Sequence, residues 1–190
     1  MVRILIAAIV GGVLMFAWGA VTHVALPFER QALQPMPNEA VVLSTLRSDL
    51  AAPGMYTFPW IDTSGKATPE QKKTWQQQLA SGPSGLLIYK PSGGEAMSPR
   101  QFVSELVSNM LAALFGAFVL VQLPGGYGRR ALSIAAIGIA AWLSISVSQW
   151  TWYGFSTPFL IGDLVDQFGG WLLAGLGMAA IIRPRRTRSF

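Results

Sequence analysis

The residues of this chain with the greatest chemical reach stand inside its apolar stretches. His23, the only histidine, lies near the end of residues 4–26, which read ILIAAIVGGVLMFAWGAVTHVAL. Glu105, Ser108 and Asn109 are spaced so that Glu105 shares a helix face with either of the other two. Asp163 and Asp166 stand on neighbouring positions of one face. Gln149 closes a further apolar stretch, together with Trp150, Thr151, Trp152 and Tyr153. Ionisable groups within a membrane span are costly, so they point to function by default. One imidazole beside carboxylates can bind a divalent metal, relay protons or hold a polar ligand. The metal candidates are His23, Asp163 and Asp166, but neither HxxxH nor ExxH spacing occurs. The competing reading places these groups in the membrane interface, solvated by water and headgroups, with Trp152 and Tyr153 as part of an aromatic belt. In that reading His23 bonds Asp163 or Glu105 and locks the helices. Neither GxSxG nor HExxH is present, and a single histidine removes most acid–base triads.

Composition narrows the class. Of 190 residues, 52% are hydrophobic and 12% charged, about half the charged fraction of an ordinary soluble domain. The apolar residues fall in blocks, which favours a membrane protein. The net charge of +5 comes from basic residues clustered at block ends. That is a topology signal, and it lacks the interleaved aromatics of a nucleic-acid surface. No nucleic-acid partner is expected. There is no cysteine, hence no disulfide framework, thiol nucleophile or lipidated thiol.

The elements that must position these residues follow in order. Residues 1–27 carry the first span. Ala17-Trp18-Gly19 would pass as a signal-peptide cleavage site, but the apolar run continues beyond it, so an uncleaved anchor is expected. Ala8, Gly12, Met15, Gly19 and His23 share a face whose small residues suit close helix contact. Residues 28–99 form a small α/β domain: a helix over 39–50 capped by Asn38, a strand over 55–58, a helix over 69–80, and a strand over 86–90. Thr68 with Gln71, and Ser98 with Gln101, are capping boxes. The helices are expected to pack on a sheet formed by the two strands, with Trp75 and Leu79 on the inner side. Further spans are read at 100–123, 131–153 and 159–182, joined by a basic turn at 124–130 and an outer loop at 154–158. Gly169, Gly170, Gly175 and Gly177 favour close helix packing over phosphate binding. Residues 183–190 are a basic tail with four arginines. Arg3, Arg129, Arg130 and that tail put both termini in the cytoplasm and residues 28–99 outside.

Several short segments carry a resemblance: Trp18-Gly19, His23 and Leu26-Pro27; Pro37-Asn38-Glu39; Gly54-Met55-Tyr56-Thr57-Phe58-Pro59; and Trp152-Tyr153-Gly154-Phe155. Together they make most of the chain similar to a set of uncharacterised bacterial inner-membrane proteins. The resemblance implies a bacterial cytoplasmic membrane and brings no activity, fold or cofactor with it.

The expected architecture is a membrane all-α protein: a four-transmembrane-helix bundle with a small α/β extracytoplasmic domain inserted between helices 1 and 2. The expected function is non-catalytic, an inner-membrane accessory, scaffold or binding protein whose external domain meets a partner or ligand. The partners read from the sequence are the lipid bilayer and a membrane protein or second copy of the chain; no cofactor is expected. The alternative is a small membrane enzyme or carrier. In it His23 and the carboxylates handle a metal or protons beside a quinone or lipid. The candidate site residues are His23, Glu105, Asn109, Gln149, Trp152, Tyr153, Asp163 and Asp166.

Overall fold

The structure is a computed structural model that describes residues 1–184, all but the side chain of Glu29. The tail arginines Arg185, Arg186 and Arg188 lie outside the described residues. The elements in chain order are α1 (Val2–Val24), α2 (Phe28–Ala32), α3 (Glu39–Asp49), β1 (Gly54–Phe58), α4 (Pro69–Ser81), β2 (Gly85–Tyr89), α5 (Pro99–Gln122), α6 (Tyr127–Ala141), a π-helical segment (Trp142–Ser146), α7 (Val147–Tyr153) and α8 (Thr157–Ile181). They form two compact units: Met1–Gln34 with Met97–Phe190, and Pro35–Ala96.

In the helical unit, four helices are long and apolar enough to cross a membrane: Val2–Val24, Pro99–Gln122, Tyr127–Tyr153 and Thr157–Ile181. Helix α1 packs on both α5 and α8, and α8 packs in turn on α6. Close approaches set antiparallel registers. Gly12 meets Met110, and Phe16 makes an edge contact with Phe102. Gly177 meets Leu14, and Gly169 meets Trp18. Gly175 meets Ala131, and Gly138 meets Gln167. The close packing expected of the fourth-span glycines is therefore present at Gly169, Gly175 and Gly177. The short helix α2 packs on α8 and belongs to this unit.

Burial in this unit runs inside out relative to a water-soluble protein. Its buried positions include Ala7, Ala8, Ala113, Ala117, Ala131, Ala135 and Ala174, with Leu120, Ile134 and Met178. Large apolar side chains face outward instead: Leu5, Ile6 and Ile9 on α1, Phe115 and Phe118 on α5, Leu132 on α6, Ile161 and Phe168 on α8. A surface of that kind is adapted to hydrocarbon, where small residues bring helices together and large apolar ones face lipid.

At one end of this unit a buried cation gathers three helices. Arg130, 1% exposed, donates from Nη2 to the Leu120 carbonyl at 2.7 Å and from Nη1 to the Ile182 carbonyl. These carbonyls close α5 and α8, where the helix dipoles present partial negative charge. Among the described residues, the Nε of Arg130 has no hydrogen-bond partner.

The second unit is built locally. Strands β1 and β2 pair antiparallel, with Tyr56 opposite Leu87. The box at Thr68 and Gln71 is closed by reciprocal bonds of 3.2 and 2.8 Å and starts α4. The same box at Ser98 and Gln101 starts α5. Asn38 does stand at the N-cap of α3, but its side chain makes no capping bond. Its backbone, at φ −116° and ψ 47°, departs from the extended geometry that aims a cap side chain at the first turn. The expected packing of helices on the sheet is slight: neither α3 nor α4 has a buried residue. Trp75 ties α4 to the end of β1 by donating to the Pro59 carbonyl at 3.1 Å, whereas Leu79 is exposed. In the loop after β1, the Ser64 amide and hydroxyl donate to Asp62 and hold its carboxyl below the usual aspartate range. Thr68→Ala is expected to cost about 1 kcal/mol of local stability. Amide hydrogen exchange across Pro69–Ser81 checks it, with faster exchange as the expected outcome.

Candidate functional site

Two cavities open at the end of the helical unit away from Arg130, and their walls collect the histidine and the three carboxylates of the spans. The smaller, of about 140 Å³, is lined by Thr22, His23, Phe28, Ala32, Leu33, Phe159, Gly162, Asp163 and Asp166. The larger, of about 700 Å³, lies among α1, α5, α6 and α8; its polar wall includes His23, Gln101, Glu105, Ser108, Asn109, Asp166 and Gln167. Met15, Phe16, Phe102 and Trp171 supply apolar surface to that larger cavity. His23 and Asp166 line both.

Helix geometry explains how each group arrives. Asp166 accepts a hydrogen bond of 2.6 Å from the Thr22 hydroxyl, joining α8 to α1. Gly19, one turn earlier on α1, faces the same carboxylate: a Cβ there would make ordinary contact with Asp166 Oδ1 at 3.8 Å. One turn away Trp18 Nε1 donates to the Val165 carbonyl at 3.1 Å and rests on Gly169. Asp163 accepts from the Ser146 hydroxyl, which belongs to the π-helical segment. The wider turn re-aims the third span at this point. Such single π turns recur at functional positions in helices. The segment is also tied to α8 by Trp142 Nε1, which donates to the Leu160 carbonyl at 2.9 Å. On α5, Asn109 Nδ2 donates to Glu105 Oε1 at 3.2 Å, the i,i+4 contact their spacing predicts.

The structure thus gathers His23, Glu105, Asn109 and Asp166 around one cavity, and His23, Asp163 and Asp166 around the other. Gln149, Trp152 and Tyr153 line neither cavity. Trp152 and Tyr153 are exposed on the last turn of α7, Trp152 by 79%. Among the described residues, no group of three His, Asp or Glu side chains is placed to hold a metal ion. Thr22, Ser146, Trp18 and Trp142 are not among the candidate site residues read from the sequence. A hydroxyl or indole in an apolar run is a weak signal until the facing helix supplies its partner.

Chemically, the arrangement presents acceptor-rich polar walls beside apolar ones. Neither lining contains Lys or Arg. A hydroxyl can donate to a carboxylate or accept from a carboxylic acid, so Thr22 and Ser146 serve either protonation state of Asp166 and Asp163. In comparisons with known proteins, no family model, no curated protein and no solved structure matches this chain.

Proposed function

We propose that this chain is a four-span protein of the bacterial cytoplasmic membrane that binds an amphiphilic ligand or membrane partner at the outer end of its helical unit. Both termini lie in the cytoplasm, and residues 35–96 lie outside. The protein acts as an accessory or binding component. The observation that carries this reading is the larger cavity. Its volume of about 700 Å³ falls within the range of small-molecule sites, and its walls combine apolar surface with a few convergent polar groups.

The test is native mass spectrometry of the protein released from mild detergent. The expected result is a retained amphiphile that is lost in Ala20→Trp, an exposed wall position where an indole would fill the space. Equal adducts in both forms, with both eluting as the same folded species, would contradict the reading.

A second reading, a proton-handling carrier or enzyme, is favoured by the hydroxyl partners of Asp163 and Asp166. A pH-sensitive dye that reports proton release on ligand addition, abolished in Asp163→Asn, would select it over simple binding.

A further inference from the structure

The charge pattern of the larger cavity identifies the kind of head group it suits. Glu105 and Asp166 bring carboxylates to its wall, and Asn109, Gln101 and Ser108 add polar oxygens. No Lys or Arg stands in that lining. Phe16, Phe102 and Trp171 supply aromatic surface to the same space. Aromatic faces attract organic cations, and the attraction grows as water is excluded. Carboxylates near hydrocarbon act through a lower effective dielectric than in water, so charge selection there is strong. An anionic head group would meet two carboxylates, with His23 as the one basic side chain in that lining.

We propose that the larger cavity takes an amphipathic organic cation, with its positive centre between Glu105 and Asp166 and its apolar body against the aromatic wall. This assignment rests on the binding reading above and narrows its ligand class. Hydrogen bonds already made do not remove the carboxylate charge: Asn109 occupies Oε1 of Glu105 and Thr22 occupies Oδ1 of Asp166, each with a neutral donor.

The test uses the full chain in nanodiscs of zwitterionic phosphatidylcholine. Equilibrium dialysis measures saturable binding, above that of empty discs, of tetraphenylphosphonium, its anionic isostere tetraphenylborate, and neutral triphenylphosphine oxide. Saturable binding of the cation alone is expected, weakened about tenfold in Glu105→Gln through loss of one charge. Glu105 is exposed, so this change spares the packed interior. Asp166→Asn is the second variant, keeping an oxygen for Thr22 and removing the charge. Equal saturable binding of the borate or the neutral compound would overturn the charge assignment and leave the cavity a binding site. Saturable binding of none of the three would overturn both the assignment and the binding reading. Cation binding unchanged in both variants would place the probe elsewhere and overturn the assignment.

Discussion

Arg130→Ala is expected to lower the stability of the helical unit by about 3 kcal/mol, from the donor lost at each of two helix-end carbonyls and the void it would open. The guanidinium reaches the Leu120 and Ile182 carbonyls from one planar fork. Those carbonyls close two helices; that of Leu120 also accepts from the Leu123 amide at 3.2 Å, whereas α8 ends at Ile181 and supplies no later turn to that of Ile182. A cation at that place also meets the negative ends of two helix dipoles. Against this stands the cost of burying the charge itself, which a neutral replacement relieves. The loss of two charge-assisted hydrogen bonds outweighs that relief because the side chain is almost wholly buried. Arg130→Lys keeps the charge without the fork and is expected to recover about half of the loss. Unfolding in a titration of mild detergent with dodecyl sulfate measures the series. Alanine and arginine forms of equal stability would remove Arg130 from the account of how α5, α6 and α8 are held.

Gly138→Ala is expected to cost about 2 kcal/mol by the same measurement, an overpacking penalty. A Cβ at Gly138 would stand 2.4 Å from the Gln167 carbonyl oxygen and 2.8 Å from Trp171 Cδ1. Backbone cannot rotate out of the way, so α6 and α8 must separate. The displaced residues neighbour Asp166, and both Gln167 and Trp171 line the larger cavity, so ligand retention should weaken together with stability. Gly128→Ala is the internal control. Nothing lies within 4 Å of its would-be Cβ, and it sits in the first turn of the same helix. Removing a helical glycine there is expected to stabilise slightly, by up to about 1 kcal/mol. Equal effects at the two glycines would argue against the close α6–α8 contact.

Much of the architecture was legible because its signals are local. Thr68 with Gln71 and Ser98 with Gln101 declare helix starts within four residues, and both boxes form. The four apolar stretches are long enough to be read by composition alone. Glu105 and Asn109 meet because one helix holds both. What escaped the sequence depends on partners far along the chain. Arg130 read as half of a basic pair marking a cytoplasmic turn. Its burial is decided by the Leu120 and Ile182 carbonyls, which come from the ends of two other helices. Thr22 lies next to His23 and carries no mark of its own in the sequence. It becomes a site residue only because Asp166 faces it from α8. The π turn at Trp142–Ser146 has no compositional mark, yet it carries Ser146 to Asp163. Conversely, Trp152 and Tyr153 attracted notice as a dense aromatic run, and they stand exposed at the end of α7, on the wall of neither cavity.

The placement of the chain across a bilayer is tested most directly by cysteine labelling, because the natural chain has no cysteine. Ser92→Cys lies in an exposed turn of the second unit. Gly126→Cys lies in the turn between α5 and α6, where a side chain meets nothing within 4 Å. Each is treated with a membrane-impermeant maleimide, first on intact bacterial cells and then after lysis. The account predicts that the cysteine at position 92 reacts in intact cells and that the one at position 126 reacts only after lysis. Reaction at position 126 from outside, or protection of position 92 until lysis, would contradict it.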